Sequence, residues 1–237
     1  MAKRKLKHFA ENLTFPHFFQ PSVEEFNSGF FLKGKWQTVF FKNKNPIIIE
    51  IGCGKGEYTV GLARANPQNN YIGIDIKGAR MWNGASTAYK ENLTNTAFLR
   101  TKVDLLNKAF DKDEIDEIWI TFPDPHPRNS KQRKRLISPK FLNIYSDFIK
   151  KNALIHLKTD NIDLFQYSLD VINKYQHKLI FSTFDLYAEN YISEATQIQT
   201  FYEKMYLEQG KKICYLKFSL NDNNDNKLIV ESTLKSL

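Results

Sequence analysis

The sequence predicts an α/β fold built on a doubly wound, mostly parallel sheet, and three observations support this prediction. Short runs of branched apolar residues alternate with longer segments of helical periodicity. The first apolar run ends at a glycine cluster, residues 52–56. The second ends at an acid, Asp75. Alternating strands and helices form parallel sheets covered by helices on both faces, and such sheets bind ligands beyond the carboxyl ends of their strands.

Each element is predicted from its own local pattern. The predicted strands cover residues 46–51, 71–75, 97–103, 117–122, 153–158, 178–184 and 212–220. The predicted helices cover residues 58–65, 79–92, 138–151, 161–175 and 196–209. Asn66-Pro67 closes the first helix and Ser138-Pro139 opens the third, because proline cannot continue a preceding helix but fits a helix's first turn. Gly210 is the expected stop of the last helix.

The alternation divides the chain into three parts. Residues 1–45 are basic and aromatic and contain Pro16 and Pro21, so we expect an N-terminal extension there. Residues 46–220 contain the alternating strands and helices and form the predicted α/β domain. Residues 221–227 are rich in Asn, Asp and Lys, which predicts a C-terminal tail over 221–237.

Composition limits the classes of function. A net charge of +8 suits a polyanionic partner such as a nucleic acid. Many basic proteins bind no polyanion, so the charge alone does not decide whether this chain binds nucleic acid. The two cysteines, Cys53 and Cys214, form no CxxC pair, so neither a disulfide framework nor a zinc site is expected. No apolar run approaches the roughly 20 residues of a membrane span, and no signal-peptide core follows the basic N-terminus. A soluble, cytoplasmic protein without a metal site or membrane contact is expected.

The glycine cluster predicts a nucleotide-like cofactor. Gly52, Gly54 and Gly56 follow the first strand, where glycines let a ligand lie against bare backbone. Asp75 ends the second strand, where its carboxylate can accept both hydroxyls of an adenosine ribose. The spacing is GxGxG instead of the dinucleotide GxGxxG, and Glu50 would repel a pyrophosphate but suits an amino group. These features favour S-adenosylmethionine over NAD and over a glycine turn without a ligand.

A rigid acidic loop follows the fourth strand. Pro123, Pro125 and Pro127 surround Asp124 and restrict the backbone, so the carboxylate is held in one direction. A turn without a catalytic role is the alternative for this loop.

A run of cations continues from that loop, and such a run can meet several phosphates of a nucleic acid. A solvated charged face is the alternative. The cations are Arg128, Lys131, Arg133, Lys134 and Arg135.

Together these motifs resemble the bacterial tRNA (guanine-N7)-methyltransferases. The resemblance covers most of residues 46–209 and rests on EIGCGKG, GID, FPDPHP with its basic sequel, LKTD, and a Thr-Phe-Tyr-Glu motif. It implies a Rossmann-like class I methyltransferase fold. It also implies methyl transfer from S-adenosylmethionine to N7 of a guanine in tRNA, at variable-loop position 46.

The resemblance also implies roles for individual residues. Cofactor contacts are implied at Glu50, Asp75, Asp104 and Asp124, and Asp124 is also the implied catalytic residue. Substrate contacts are implied at Arg128, Asp160, Thr200, Phe201, Tyr202 and Glu203. Asp160 and Glu203 are expected to hold the guanine amino group or the ribose. His126 stands where the family commonly has Trp, and we expect it to fill space.

Guanine N7 already carries a lone pair, so the reaction needs no strong base. We expect Asp124 either to stabilise the positive charge that moves onto the purine or to hydrogen-bond the edge of the base, and the sequence leaves both roles open. A non-catalytic RNA-binding protein and a methyltransferase of another substrate are the alternatives. Whether the protein is a monomer or a homodimer stays open.

Overall fold

The computed structural model describes residues 2–221 of the chain. Within them, one eight-stranded sheet forms the framework, in the order β1-β4-β3-β2-β5-β6-β8-β7. The strands are β1 Phe18–Phe19, β2 Ile47–Ile51, β3 Asn70–Asp75, β4 Thr96–Arg100, β5 Ile115–Thr121, β6 Ile149–Thr159, β7 Lys178–Thr183 and β8 Cys214–Ser219. Only the pairings of β8 with β6 and β7 are antiparallel. The predicted mostly parallel sheet is confirmed.

Helices cover both faces of this sheet. They are α1 Ala2–Asn12, α2 Val23–Ser28, α3 Glu57–Ala65, α4 Gly78–Lys90, α5 Leu106–Ala109, α6 Pro139–Tyr145, α7 Ile162–Lys174, α8 Glu194–Gln197 and α9 Phe201–Glu208. A π-helix spans Trp36–Phe41, and 3-10 helices span Val103–Leu105 and Asn129–Lys134. No helix in this part of the chain combines the length and apolar composition that crossing a membrane requires.

The central strand β2 shows why the apolar runs form buried strands. All five of its residues are buried. Ile47, Ile49 and Ile51 join the larger core cluster, whereas Ile48 joins a second cluster with Tyr58 and other residues. Successive side chains of a strand point to opposite faces, so a continuous apolar run fits a sheet that is covered on both sides.

Several element limits differ from the predicted ones. The third predicted strand, 97–103, stops at Arg100, and a 3-10 helix takes up its end. The helix predicted over 138–151 ends at Tyr145, because Ile149 already pairs with Ile115 in the sheet. The helix predicted over 196–209 is divided into α8 and α9, since Thr200 caps the second helix with its side chain.

The segment before residue 46 belongs to the packed structure. Phe18 pairs with Phe98 of β4, and the Trp36 side chain is fully buried and donates a hydrogen bond from Nε1 to the Ala109 carbonyl at 3.1 Å. The His8 ring stacks on Trp82 of α4 with centroids 4.0 Å apart. The core therefore extends across the predicted boundary at residue 45. Apart from Asn221, the predicted tail over 221–237 lies outside the described residues.

Candidate active site

A cavity of about 430 Å³ opens beyond the carboxyl ends of β2, β3 and β5. The order of the strands changes direction at β2, since β3 lies on one side of it and β5 on the other. This is the position at which doubly wound sheets bind ligands. The predicted site residues that line the cavity are Glu50, Gly52, Gly54, Asp75, Asp124, Lys134, Thr200 and Tyr202, and His126 lines it as well.

The glycine loop bends into the cavity with left-handed backbone angles. Gly52, Gly54 and Gly56 have φ values of 82°, 55° and 73°, which favour glycine. Gly52 and Gly54 line the cavity, but Gly56 does not. A Cβ on Gly56 would lie 2.6 Å from the Phe98 ring, so this glycine instead permits close packing of α3. Gly56 therefore has a packing role in this structure, and its cofactor contact stays a prediction.

Glu50 is a buried acid at the base of the cavity. Its Oε1 accepts a hydrogen bond from the Thr121 hydroxyl at 2.6 Å. Its Oε2 accepts one from the Thr59 amide at 2.9 Å and another from the Thr59 hydroxyl. Burial raises the pKa of Glu50 to about 7, and these three hydrogen bonds oppose that rise. The carboxyl group thus joins β2, β5 and α3 at the point where it also faces the cavity.

Asp75 connects the end of β3 to the glycine loop. Its Oδ2 accepts a hydrogen bond from the Gly54 amide at 2.9 Å, and its Oδ1 accepts one from the Lys77 amide at 2.8 Å. Each carboxylate oxygen can accept a second hydrogen bond. Asp75 can therefore still accept two hydroxyl groups from a ligand in the cavity.

Asp104 is the predicted cofactor acid that the structure does not bring to the cavity. Its neighbours Thr101 and Val103 line the cavity, but Asp104 does not. The 3-10 helix turns its carboxylate towards α6, where it pairs with the Lys140 ammonium. The resemblance implied a cofactor contact at Asp104, directly after the strand predicted over 97–103, whereas that strand ends at Arg100.

Asp124 lies on the loop after β5 with its carboxylate at the cavity. Its side chain is 71% exposed, and its Oδ1 accepts a hydrogen bond from the His126 amide at 3.1 Å. Phe122 and His126 on either side have φ values of 48° and 44°. Left-handed angles at residues with a Cβ are strained and cluster at functional sites. The His126 side chain is 24% exposed and lines the cavity, so the space-filling role expected from the sequence stays a prediction.

The basic run does not form one uniform surface. Arg128, Lys131 and Arg133 are exposed, and Lys134 is exposed at the cavity. Arg135, predicted to meet phosphates, is instead buried at 5% exposure. Its Nε and Nη2 donate to the carbonyls of Pro125 and His126. The 3-10 helix ends at Lys134, and the Arg135 side chain turns inward, so a phosphate contact at Arg135 stays a prediction that would require the side chain to turn outward.

Glu203 is also buried, although the resemblance implied a substrate contact. Its Oε1 lies 2.7 Å from the Lys158 ammonium and accepts a 2.7 Å hydrogen bond from the Tyr187 hydroxyl. Its Oε2 closes a capping box with the Thr200 amide. With no exposed surface, Glu203 is not open to a guanine in this structure. It stabilises the beginning of α9 instead.

The beginning of α9 lies over the cavity mouth. The Phe201 amide donates to Glu57 Oε2 at 2.9 Å, and Arg80 Nη2 donates to the Tyr202 hydroxyl at 2.9 Å. The Phe201 ring is 56% exposed, with the Lys55 ammonium 4.5 Å from its centre. Thr200 and Tyr202 line the cavity, whereas Phe201 lies outside it, beside a neighbouring depression lined by Gly56 and Gln197.

Asp160 follows β6 but does not line the cavity. Its Oδ2 lies 2.9 Å from the Lys211 ammonium, in an ion pair at the surface. The substrate contact implied at Asp160 stays a prediction, because the ion pair engages Oδ2 and a carboxylate can accept further hydrogen bonds.

Sequence reasoning missed the residues that hold the site together. Thr59 and Thr121 bind Glu50, Arg80 bridges to Tyr202, and Lys158 anchors α9. Lys158 carried a detectable signal, because it ends the strand predicted over 153–158, and a lysine that is buried in a sheet needs a partner. Threonine at the end of a strand carries no such signal.

Known proteins with similar sequences and folds are methyltransferases. A family model described as "Putative methyltransferase" matches residues 44–216. A protein of Christiangramia forsetii named tRNA (guanine-N(7)-)-methyltransferase is 48% identical over 221 residues, which cover 92% of this chain and 99% of that protein. A protein of the same name from Cytophaga hutchinsonii is 47% identical and covers 92% of this chain and 98% of its own.

Among solved structures, the 16S rRNA methyltransferase KamB has a similar fold. Its TM-score is 0.58 at 15% identity, with 84% of this chain and 94% of that chain covered.

Proposed function

Because the chain belongs to the tRNA (guanine-N7)-methyltransferase family, we propose that it transfers a methyl group from S-adenosylmethionine to N7 of a guanine in the variable loop of tRNA. The fold is that of the class I methyltransferases, as predicted. One observation carries the proposal: Glu50, the glycine loop, Asp75 and Asp124 surround a single cavity.

The residues present fit S-adenosylmethionine. Asp75 has acceptor capacity for the two ribose hydroxyls, and the bare loop at Gly52 and Gly54 admits a close ligand. Glu50 places a carboxyl group where the amino group of the methionine moiety needs an acceptor. A volume of about 430 Å³ lies in the usual range of cofactor pockets. A pyrophosphate beside Glu50 would meet like charge, which disfavours NAD.

The bound cofactor would supply an electrophilic methyl group on sulfur. The protein then has to hold guanine N7 in line with that methyl, and such alignment alone accelerates a reaction strongly. Asp124 faces the cavity from a strained loop and would lie beside the purine as it gains positive charge. A fixed carboxylate stabilises that charge without accepting a proton. Asp124 is therefore the proposed catalytic residue.

Exposed cations beside the cavity are the proposed contacts for tRNA phosphates. Arg128, Lys131 and Arg133 extend from the Asp124 loop along the 3-10 helix and its cap. Tyr202 lines the cavity and the exposed Phe201 ring lies next to it at the start of α9, so both offer an aromatic face on which an unstacked base could lie. The cytoplasm, where tRNA is modified in bacteria, is the proposed site of action.

A direct experiment tests the proposal. The protein is incubated with methyl-labelled S-adenosylmethionine and unmodified tRNA, and the digested nucleosides are separated. We expect label in N7-methylguanosine, and none when the variable-loop guanine of the transcript is replaced by adenine. Label in another nucleoside would identify a methyltransferase of a different base, and binding of tRNA without transfer would indicate a non-catalytic RNA-binding protein.

A further inference from the structure

Arg135 is a buried cation without an acidic partner among the described residues. Its side chain is 5% exposed, and it takes part in none of the ion pairs found in residues 2–221. Burying an unpaired charge is costly, and most buried arginines are therefore paired with carboxylates. The position of this arginine calls for a reason other than stability.

The guanidinium group of Arg135 is directed at the backbone of the Asp124 loop. Nε donates a hydrogen bond to the Pro125 carbonyl at 3.0 Å, and Nη2 donates one to the His126 carbonyl at 3.3 Å. On its other side, the guanidinium carbon lies 4.3 Å from the centre of the Tyr167 ring of α7. Two consecutive carbonyls and one aromatic face together hold a planar group in a single orientation.

The Asp124 loop needs such support because its own backbone can form few hydrogen bonds to the surrounding structure. Pro123, Pro125 and Pro127 lack an N–H group, so they cannot donate hydrogen bonds to the surrounding structure. Phe122 and His126 hold left-handed angles that persist only where neighbouring groups enforce them.

Within the described residues, the Asp124 side chain is held by contacts inside its own loop, where its Oδ1 also lies 3.6 Å from His126 Nδ1. Among the described residues its one hydrogen bond comes from the His126 amide, and most of its surface is exposed. The direction of the Asp124 carboxylate thus depends on the backbone at residues 125 and 126.

We propose that Arg135 is a positioning residue that fixes the Asp124 carboxylate through the Pro125 and His126 carbonyls. The proposal rests on the proposed function, in which Asp124 acts on the methylated base. Arg135 touches neither cofactor nor tRNA in this account, because it lies beneath the loop. Its loss should therefore lower the rate of the bound complex and leave the affinities for tRNA and cofactor nearly unchanged.

The test compares Arg135→Met, Arg135→Lys and Arg133→Met. Single-turnover methyl transfer is measured at saturating cofactor and tRNA, and tRNA affinity is measured separately. For Arg135→Met we expect at least a tenfold lower rate with tRNA affinity within about twofold of wild type. Arg133→Met removes the same charge from the exposed face and should show the reverse, weaker tRNA binding with a rate near wild type once saturated. Arg135→Lys keeps the charge but lacks the planar guanidinium group that donates to the Pro125 and His126 carbonyls at the same time, so an intermediate rate is expected.

Hydrogen exchange of the peptide covering residues 122–128 provides a readout that is independent of activity. We expect faster exchange of the His126 amide in Arg135→Met than in wild type, with the rest of the sheet unchanged. If Arg135→Met does not fold, Tyr167→Leu, which removes the aromatic support and keeps the arginine, is measured in the same way.

The outcomes separate the two proposals. Faster loop exchange in the variant, together with a wild-type protein that transfers no methyl group to tRNA, would reject the proposed function and retain the positioning role. An active wild type with unchanged exchange and rate in Arg135→Met would overturn the positioning role alone. Weaker tRNA binding with an unchanged saturated rate would return Arg135 to the phosphate-contact role that the sequence suggested.

Discussion

The Lys158 ammonium lies 2.7 Å from Glu203 Oε1, and neither side chain has any exposed surface. The same ammonium donates to the Ala195 carbonyl at 2.6 Å and to the Ile198 carbonyl at 3.3 Å. Lys158 stands near the end of β6, whereas the two carbonyls and Glu203 belong to the α8–α9 segment. Lys158 therefore holds the segment that contains Thr200 and Tyr202 against the carboxyl end of β6.

Removing one member of this pair should destabilise the protein strongly. Glu203→Gln leaves the Lys158 charge buried without a carboxylate, and such a loss costs about 3–5 kcal/mol. Urea unfolding of wild type and variant measures the difference. Glu208→Gln, an exposed glutamate of the same helix, is the control and should change the free energy of unfolding by less than about 0.5 kcal/mol. A Glu203→Gln variant as stable as the control would show that the pair does not hold α9.

Glu50 should make stability depend on pH. Burial raises its pKa to about 7, so the folded state binds a proton more tightly than the unfolded state does. The contribution of Glu50 to the free energy of unfolding is therefore stabilising at acid pH, where the buried group is protonated, and it is lost as the pH rises through about 7. In Glu50→Gln this loss is absent. The free energy of unfolding of the variant, relative to wild type, should rise between about pH 5 and pH 8. A difference that stays constant or falls would contradict the raised pKa.

The same Glu50→Gln variant should bind the cofactor poorly. The neutral amide lacks the charge that favours an amino group, and a lost hydrogen bond between charged groups costs about 1.5–3 kcal/mol. Calorimetry with S-adenosylhomocysteine at about pH 8 should show at least tenfold weaker binding. Affinity equal to wild type would limit Glu50 to its structural bonds with Thr59 and Thr121.

Neutralising the exposed cations should weaken tRNA binding in a salt-dependent way. Lys131→Ala combined with Arg133→Ala removes two proposed phosphate contacts, so the affinity should fall and the slope of log affinity against log salt should become shallower. Cofactor affinity should not change. The matched control is Lys174→Ala with Lys178→Ala, two exposed lysines at the end of α7 and the start of β7, at the opposite edge of the sheet. Equal slopes in both double variants would show that the run is a solvated surface.

The sequence predicted the sheet and the cavity well because both depend on local patterns. The apolar runs at 47–51 and 70–75 define strands, and the glycines and acids at their ends lie at one edge by topology. The sequence does not predict the direction of a side chain where that direction depends on the tertiary structure. Arg135 follows Lys134 in an uninterrupted basic run, yet one turns inward and the other lines the cavity.

Glu203 is a second residue whose burial cannot be predicted from its own sequence motif. The motif Thr-Phe-Tyr-Glu looked like a set of ligand contacts, but the spacing of Thr200 and Glu203 is that of a capping box. Only the position of Lys158, which lies 45 residues earlier in the chain, decides that the glutamate is buried.

The rate of methyl transfer by Asp124→Asn decides whether the Asp124 carboxylate is the catalytic group. The variant keeps the shape of the side chain and loses the charge that would face the methylated purine, and removing one such preorganised group typically lowers the rate about a hundredfold or more. The measurement is single-turnover transfer at saturating cofactor and tRNA, so that a binding defect does not contribute. We expect a loss of that size with the fold and tRNA affinity preserved. A rate within about threefold of wild type, less than 1 kcal/mol of barrier, would show that Asp124 is a turn residue and that catalysis lies elsewhere.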